Sequence, residues 1–401
     1  RPASVKGWTA GTHRAVSPDA TWAAVEPLLE RAGVTRMADL TGLDRIGLPV
    51  RAAIRPRGRI LQTTNGKGLR DVDARVSAAM EALEHAHCEA GPAAGSMVRA
   101  SSGELESGNH GIGTAAPPAG TPVIAPGRLP LAIHGVAQSS EARIPWVQGR
   151  ELRSGTEVWL PAGAVFAEMV PRLFAFSANG LASGNTVTEA TLHALYEVVE
   201  RDVVTRRIRG GLSLRPPTAE RVVEDSVTDA GTAGVLARIR GAGLRASLML
   251  LRHPGRMPVF WCALLDPAPF HPCTRVTFGY GAHLSPAVAA VRALTEAAQA
   301  RLSYISGMRE DLARKIELAT EARVRPVFDY FDGLEPTLAW TDIQDLASDS
   351  LESDLATCLE LTAHADGAPP PVYRAELTWD GVPLAVVRVL MEGAVVDRRW
   401  F

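Results

Sequence analysis

Pairs of oxygen-bearing side chains three residues apart recur in a thirteen-residue pattern that the chain carries three times. The copies are 73–85 (DARVSAAMEALEH), 189–201 (EATLHALYEVVER) and 288–300 (VAAVRALTEAAQA). The aligned positions hold an oxygen-ligand pair in every copy, namely Glu81 and Glu84, Glu197 and Glu200, and Glu296 and Gln299. The repeated pair is the first indication of chemistry in this sequence.

The spacing of each pair predicts that both side chains point the same way from a helix. Residues three apart lie on one side of a helix with about 3.6 residues per turn. In the second copy an apolar stripe of Leu192, Leu195, Val199 and Val203 lies beside the acidic strip, which predicts acids at the edge of a core.

A single E-x-x-E is typical of a solvated helix face, whereas its recurrence favours a ligand role. If the helices converge, their carboxylates repel each other, and cations are the ordinary means of keeping them ionised. Carboxylate and amide oxygens suit hard ions such as Mg²⁺. The pattern therefore predicts a multi-metal site.

A glycine-rich segment, Asn65-Gly66-Lys67-Gly68, stands between a predicted strand and the first pattern helix. A Gly-Lys-Gly turn that leads into a helix can bind phosphate through backbone N–H groups, the lysine and the helix N-terminus. The segment lacks the G-x-x-x-x-G-K-[ST] pattern, so a P-loop is not supported. Most turns of this kind only reverse the chain.

Composition bounds the protein class. The chain has 401 residues, 46% of them hydrophobic, and a net charge of −2, so it can bury a large core and has no basic field that would favour nucleic acid. The four cysteines show no paired spacing, which favours a reducing compartment over disulfides or zinc. Neither a membrane-spanning run nor a signal peptide is recognisable, and we expect a cytoplasmic protein with no membrane partner.

Helix, strand and loop signals alternate along the chain. We expect a helix over 20–32 that ends at Gly33, strand–turn–strand over 37–50, and two strands around the Pro-Ala-Gly turn of 157–169. A hairpin of buried strands is predicted over 244–267. Toward the end, a helix near 341–365 precedes a strand pair at 373–391.

The segment 90–130 is rich in Gly, Ala, Pro and Ser and is predicted to be a flexible excursion, a mobile lid or substrate loop. His85, His87, Cys88 and His110 lie near or within it. Their spacing matches no zinc pattern, so we interpret them as packing and surface residues.

Several motifs together resemble the YcaO family. In the family's order, from about residue 7 to 311, they are GTHRAVSPDATW, GVTRMADLTGLDRIGLPV, NGKG followed by SAAMEALEH, LASGNTVTEATLHALYEVVERD, and TEAAQARLSYISGMREDL. The resemblance implies an α+β fold with helix-on-sheet subdomains repeated around a central ATP and Mg²⁺ site. It further implies one domain over 1–401, with subdomains of roughly 1–89, 130–311 and 312–401.

The chemistry that the resemblance implies is ATP-dependent activation of a peptide bond. YcaO proteins use ATP and Mg²⁺ to phosphorylate a backbone amide oxygen of a ribosomally made peptide, which prepares that carbon for a nucleophile. By motif, Glu81, Glu84, Glu197 and Glu200 match the metal-binding carboxylates. The residues that match the nucleotide site are Lys67, Asn185, Glu189, Arg201, Gln299 and Arg301, of which Glu189 and Arg201 are also matched as catalytic.

The resemblance leaves the product open. Many azoline-forming members end in a P-x-P-x-P tail, whereas this chain ends in Asp397-Arg-Arg-Trp-Phe401. The segments GTHR and GLDRIGLPV are closer to members that act with a TfuA partner in thioamide formation, so we expect a thioamide, a precursor peptide, a TfuA-like or leader-binding partner and a homodimer. Azoline or amidine formation, a silent binding scaffold and an unrelated metal-dependent hydrolase are the alternatives.

Overall fold

The computed structural model describes residues 5–93, 95–108, 120–133, 141–211, 214–362 and 367–397. The chain divides into two compact units. Unit 1 consists of Arg1–Leu83 and Arg206–Asp354, and unit 2 of Glu84–Thr205 and Leu355–Phe401. The subdomain boundaries expected from the sequence stay a prediction.

The α-helices of the described residues are, in chain order, α1 (Pro18–Val25), α2 (Asp71–Ala90), α3 (Ser102–Glu106), α4 (Ala162–Val165), α5 (Val187–Arg209), α6 (Ala230–Gly241), α7 (Pro286–Ser306), α8 (Ala313–Leu318), α9 (Glu321–Asp332) and α10 (Leu351–Glu360). The three pattern helices predicted from the sequence are confirmed as α2, α5 and α7.

The strands are β1 (Arg36–Asp39), β2 (Val50–Ile54), β3 (Thr63–Lys67), β4 (Met97–Ala100), β5 (Ile144–Glu151), β6 (Glu157–Pro161), β7 (Leu181–Gly184), β8 (Ala219–Val222), β9 (Arg245–Leu251), β10 (Val259–Leu265), β11 (Val276–Ala282), β12 (Pro336–Leu338), β13 (Val372–Glu376) and β14 (Ala385–Met391). The predicted α+β class is confirmed by this mixture of elements and by their topology.

Unit 1 contains two sheets. A three-stranded antiparallel sheet has the order β1-β2-β3, and a five-stranded sheet has the order β11-β10-β9-β8-β12. The predicted hairpin is confirmed as β9 and β10, in which Phe260 lies opposite Leu250. Helices α6 and α7 pack on the larger sheet and enclose an apolar core that includes Val235, Leu248 and Leu294.

Unit 2 is built on one six-stranded sheet. Its strand order is β4-β5-β13-β14-β7, with β6 paired to β5. The strand pair predicted near the end of the chain is confirmed as β13 and β14, whose antiparallel register sets Tyr373 opposite Leu390. Every residue of β14 is buried, which explains why its sequence AVVRVLM is apolar except for Arg388.

A strand followed by a long helix occurs three times, as β3–α2, β7–α5 and β11–α7. In the first copy, a Cβ on Gly66 would lie 2.0 Å from Ala78 N and 2.2 Å from Ala74 O. In the third, a Cβ on Gly281 would lie 2.0 Å from Ala289 O. Glycine facing alanine therefore lets each helix lie directly on its strand, which fixes the helix position relative to the sheet.

Some boundaries differ from the sequence-based expectations. Helix α1 begins at Pro18, after the N-cap Ser17 and two residues before the expected start. It ends at Val25, because Pro27 lacks the N–H for the next helical hydrogen bond and the chain tightens into a 3₁₀ turn. The second strand expected within 157–169 is instead the short helix α4. The second strand of 37–50 begins only at Val50. The helix expected near 341–365 is confirmed over Leu351–Glu360 alone.

Part of the 90–130 segment has regular structure, contrary to the expectation of weak structure. Strand β4 pairs with β5, and α3 is closed by a capping box of Ser101 and Glu104. His110 and the rest of 109–119 lie outside the described residues, as do residues 398–401 of the C-terminal segment. Lid mobility stays a prediction. Among the described helices none is long and apolar enough to cross a membrane.

Candidate functional site

Lys67 and Glu296 form an ion pair within unit 1. Lys67 is the last residue of β3 and Glu296 lies in the middle of α7, and the Lys67 Nζ and Glu296 Oε2 atoms are 2.8 Å apart. Both side chains are about one-fifth exposed, at 21% and 19%. The structure thus brings a residue predicted to contact nucleotide next to the glutamate of the third pattern copy.

The Gly-Lys-Gly segment is not the turn that the sequence suggested. Asn65, Gly66 and Lys67 belong to β3 and pair with β2, so their backbone is extended and does not form an anion-binding loop at the start of α2. The physical reason is the close approach of Gly66 to α2, which requires glycine in a strand. The Lys67 side chain, rather than a nest of backbone N–H groups, is what this segment offers to a phosphate.

Gln299 anchors α7 to the end of β3. Its Nε2 donates a hydrogen bond to Asn65 O, while Asn65 Nδ2 donates to Ser303 Oγ at 2.8 Å. The first bond uses one of the two N–H donors of the Gln299 amide. Its predicted contact with nucleotide stays a prediction, and the contact observed within unit 1 is a structural one.

Glu81 lies on α2 in a setting that favours its protonated form. Burial raises the pKa of Glu81, and the carboxylates of Glu296 and Asp311 act in the same direction, while Arg309 and Lys67 oppose them. A bound cation would stabilise the ionised form of such a carboxyl group. This behaviour fits the predicted metal ligand.

Arg309 and Asp311 are close to this group and were not singled out in the sequence. Arg309 Nε and Nη2 donate to the two carboxylate oxygens of Asp311 at 3.0 and 2.7 Å. The pair follows the C-cap of α7, where Gly307 has a left-handed φ of 63°. The sequence signal that could have revealed the pair is Gly307, because a glycine of this kind ends a helix and turns the chain back toward the end of that helix.

Arg301 has a different environment from the other predicted nucleotide residues. Its side chain is 2% exposed and forms ion pairs with Asp44 at 3.1 Å and Asp266 at 3.0 Å. Its Nη1 also donates to Thr274 O at 2.8 Å. A guanidinium held by two carboxylates and a carbonyl is occupied within unit 1, and these contacts support a structural role.

In unit 2, Glu84 is held by Ser183 of β7. Glu84 Oε1 accepts hydrogen bonds from Ser183 N at 2.8 Å and from Ser183 Oγ at 2.6 Å. Two donors to one oxygen fix the orientation of the carboxylate. An oriented carboxylate fits the predicted metal ligand by the chemistry of its oxygens.

Asn185 and Glu189 contact each other at the start of α5. Asn185 N and Nδ2 donate to Glu189 Oε1 at 3.2 and 3.0 Å, and Thr186 Oγ1 accepts a hydrogen bond from Glu189 N at 3.1 Å. Glu189 is buried. These two residues, both matched to the nucleotide site, therefore contact each other, with the amide oriented by the carboxylate; their contact with nucleotide stays a prediction.

Glu197, Glu200 and Arg201 continue along α5. Glu200 is 1% exposed, and its Oε1 lies 3.6 Å from Arg201 Nε. Glu197 is partly buried and acts electrostatically on Arg388 of β14. The sequence placed both acids at a helix edge, whereas the structure buries Glu200 almost completely.

The residues fit a hard cation by the chemistry of their donors. Each unit supplies carboxylate oxygens together with Lys or Arg, which are partners for Mg²⁺ and phosphate. Within the described part of either unit, no three His, Cys, Asp or Glu side chains form a ready-made metal cluster. Mg²⁺ is usually bound by one or two carboxylates plus substrate phosphates, so a preformed protein cage is not required.

The chain matches a protein-family model. The model described as YcaO cyclodehydratase, ATP- and Mg²⁺-binding, matches residues 65–395. This range covers parts of both units and includes all the residues matched above to the metal and nucleotide sites.

Relatives extend over nearly the whole chain. An uncharacterized protein of Mycobacterium tuberculosis is 35% identical over 404 residues, covering 96% of this chain and 83% of the relative. A protein of Rhizobium leguminosarum bv. trifolii, named for its place in the tfuA 3′ region, is 30% identical over 410 residues, covering 96% and 89%. A similar solved structure is YcaO from Methanopyrus kandleri bound with AMPPCP and Mg²⁺, with a TM-score of 0.73 and 24% identity over 98% of this chain and 94% of that one.

Proposed function

The chain belongs to the YcaO family of ATP- and Mg²⁺-binding cyclodehydratases, and on this premise we propose that it phosphorylates a backbone amide oxygen of a ribosomally made precursor peptide. A sulfur nucleophile then replaces that oxygen and gives a thioamide. The observation that supports the proposal most is the Lys67–Glu296 pair, which shares one electrostatic environment with the partly buried carboxyl group of Glu81.

The proposed metal ligands are Glu81, Glu84, Glu197 and Glu200. When bound, Mg²⁺ would neutralise phosphate oxygens and so make the γ-phosphorus accessible to a weak nucleophile. A bound cation would stabilise the ionised form of Glu81, because burial raises the pKa of this carboxyl group. Glu84 is already oriented by Ser183.

The proposed nucleotide residues are Lys67, Asn185, Glu189, Arg201, Gln299 and Arg301. Lys67 would exchange its bond to Glu296 for a phosphate oxygen, since a flexible ammonium can rotate between the two. Glu189 would hold Asn185 in one orientation, and Glu189 and Arg201 would position the reacting groups. Arg301 belongs to this set by its motif match, and its ion pairs with Asp44 and Asp266 favour a structural contribution over direct contact with the nucleotide.

The reaction needs no side-chain nucleophile. The amide oxygen attacks the γ-phosphorus and ADP leaves; the sulfur nucleophile then adds to the activated carbon, and the oxygen departs as phosphate. Positioning and electrostatic stabilisation are what the protein supplies in such a transfer. The absence of a G-x-S-x-G motif from the sequence agrees with this requirement.

A TfuA-like protein is the proposed partner, and a homodimer the proposed assembly. The relative from Rhizobium leguminosarum named for the tfuA 3′ region supports the choice of partner. The second candidate product is an azoline, formed when a Cys, Ser or Thr of the same peptide attacks the activated carbon. The cyclodehydratase name of the family supports that alternative.

The mass of the product separates the candidates. The protein is incubated with a precursor peptide from a neighbouring gene, ATP, Mg²⁺, the TfuA-like protein and sulfide. The proposal expects exchange of one oxygen for one sulfur, with all side-chain thiols and hydroxyls retained. Loss of water without a need for sulfide would establish an azoline instead, and no ATP-dependent change in mass would contradict both.

A further inference from the structure

The three-stranded sheet of unit 1 has an exposed edge at β1. The strand order β1-β2-β3 makes β1 and β3 its two edge strands. Four of the five residues of β3 are buried, whereas in β1 Arg36 and Asp39 are exposed and Met37 is partly exposed. In the described part of the chain β1 pairs with β2 alone. Strand β1 is therefore the edge of this sheet that another strand can reach.

The register of β1 shows which of its backbone groups face outward. Leu40 N donates a hydrogen bond to Val50 O at 3.0 Å, and in an antiparallel pair every second residue bonds to the same neighbouring strand. Met37 and Asp39 fall between the bonded positions, so their N–H and C=O groups point away from β2. The described residues provide no hydrogen-bond partner for these four groups. They can pair with one more strand.

The charges beside this edge are positive. Arg36 is the first residue of β1, and Arg57 follows the end of β2 that pairs with the start of β1. Both are exposed, and neither has an ion pair with a described residue. The Asp39 carboxylate already pairs with Arg51 at 3.2 Å and accepts a hydrogen bond from Thr41 N at 2.9 Å. The remaining positive charge favours an acidic partner and disfavours pairing with the same edge of a second copy.

We propose that an extended acidic peptide segment binds to β1 as a fourth strand of this sheet. Its backbone pairs with Met37 and Asp39, and its carboxylates lie beside Arg36 and Arg57. In recognition of this kind, main-chain hydrogen bonds give affinity and side chains select the partner. Strand β2 separates β1 from Lys67 of β3, so the surface is separate from the proposed nucleotide residue and the inference does not depend on the proposed reaction.

The test uses two hexapeptides, each labelled with fluorescein at the N-terminus and amidated at the C-terminus. Fluorescence anisotropy with the full chain should show that Glu-Val-Glu-Val-Glu-Val binds at least tenfold more tightly than Lys-Val-Lys-Val-Lys-Val. Hydrogen exchange locates the bound peptide. Exchange in the segment 34–41 should slow when the acidic peptide is present, because the amides of Met37 and Asp39 become hydrogen-bonded.

Two substitutions at one position separate the backbone contribution from the side chain. Met37→Pro removes an outward N–H and leaves the bonds between β1 and β2 in place. Met37→Ala removes the same side chain but keeps the N–H, so it is the matched control. The proline variant should bind the acidic peptide at least tenfold more weakly than the alanine variant. Arg36→Gln combined with Arg57→Gln should also weaken binding and should reduce its dependence on salt.

Each other outcome counts against the proposal. Equal affinities of the two peptides, no saturable binding of the acidic one, or equal affinities of Met37→Pro and Met37→Ala would overturn it. If Met37→Pro does not fold, the double arginine variant decides, and an unchanged affinity for the acidic peptide would refute the site. A dimer in sedimentation that dissociates in the double arginine variant would show that a second copy occupies the edge, contrary to the proposal.

Discussion

The Lys67 ammonium lies 2.8 Å from the Glu296 carboxylate and so links the end of β3 to the middle of α7. Both residues also act on the pKa of Glu81, in opposite directions. The three groups therefore share one electrostatic environment within unit 1. Lys67 is therefore part of a charged cluster with Glu296 and Glu81 and is not an isolated surface charge.

Lys67→Met is expected to weaken ATP binding at least tenfold while changing stability little. Stability should change little because a partly exposed ion pair contributes only about 0.2–1 kcal/mol to folding. ATP binding should weaken because the contact between the Lys67 ammonium and a phosphate is lost completely. Arg70→Met is the matched control, because Arg70 forms an exposed pair with Asp73 at 2.8 Å. Calorimetry with ATP and Mg²⁺ measures both variants, and equal affinities in the two would contradict the assignment of Lys67.

Arg301→Met is expected to destabilise the protein by roughly 3–5 kcal/mol, because it leaves the buried Asp44 carboxylate without its cation and Asp266 with only Arg45 as a partner. Urea unfolding followed by circular dichroism measures the change. A loss below about 1 kcal/mol combined with weaker ATP binding would instead support the nucleotide role of Arg301.

Gly66→Ala is expected to cost at least about 2 kcal/mol, because the new Cβ would lie 2.0 Å from a backbone atom of α2. Gly234→Ala on α6 is the matched control, since a Cβ there meets nothing within 4 Å. That substitution should stabilise the protein by up to about 1 kcal/mol through helix propensity. Similar stability of the two variants would contradict the close strand–helix packing of the repeat.

The sequence predicted the elements better than their contacts. Helices α2, α5 and α7 were recognised because periodicity is a local property, and the hairpin β9–β10 because its strands are continuous apolar runs. The segment around Gly66 was misjudged because packing against α2 overrides the local preference of glycine for turns. The partners of Arg301 could not be foreseen, since Asp44 is distant in sequence and the pairing depends on tertiary structure.

Acid is expected to destabilise unit 1 through His13. Burial, followed by the charge of Lys6, lowers the pKa of His13 from 6.5 to about 4, although Asp354 and Asp345 act the other way and Arg14 adds to the lowering. Between these pH values the unfolded chain binds a proton that the folded chain does not. Stability should therefore be complete above about pH 6.5 and fall as the pH approaches 4.

Thermal unfolding at pH 8 and at pH 5 checks this expectation. The melting temperature should fall between the two, and His13→Gln should reduce the fall, because glutamine does not titrate. His283, whose pKa burial also lowers, accounts for a residual slope. An identical drop in the variant would show that His13 does not contribute to the acid sensitivity.

The most direct test of the proposed function is Mg²⁺-dependent ATP binding by Glu200→Gln. This substitution keeps the shape of a side chain that is 1% exposed and removes only the charge of one proposed metal ligand. Glu360→Gln on α10 changes an exposed glutamate and is the control. Calorimetric titration should show ATP binding that requires Mg²⁺ in the unaltered protein and in Glu360→Gln and that is lost in Glu200→Gln with the fold intact; unchanged affinity and magnesium dependence in Glu200→Gln would contradict the assignment of these carboxylates to the metal.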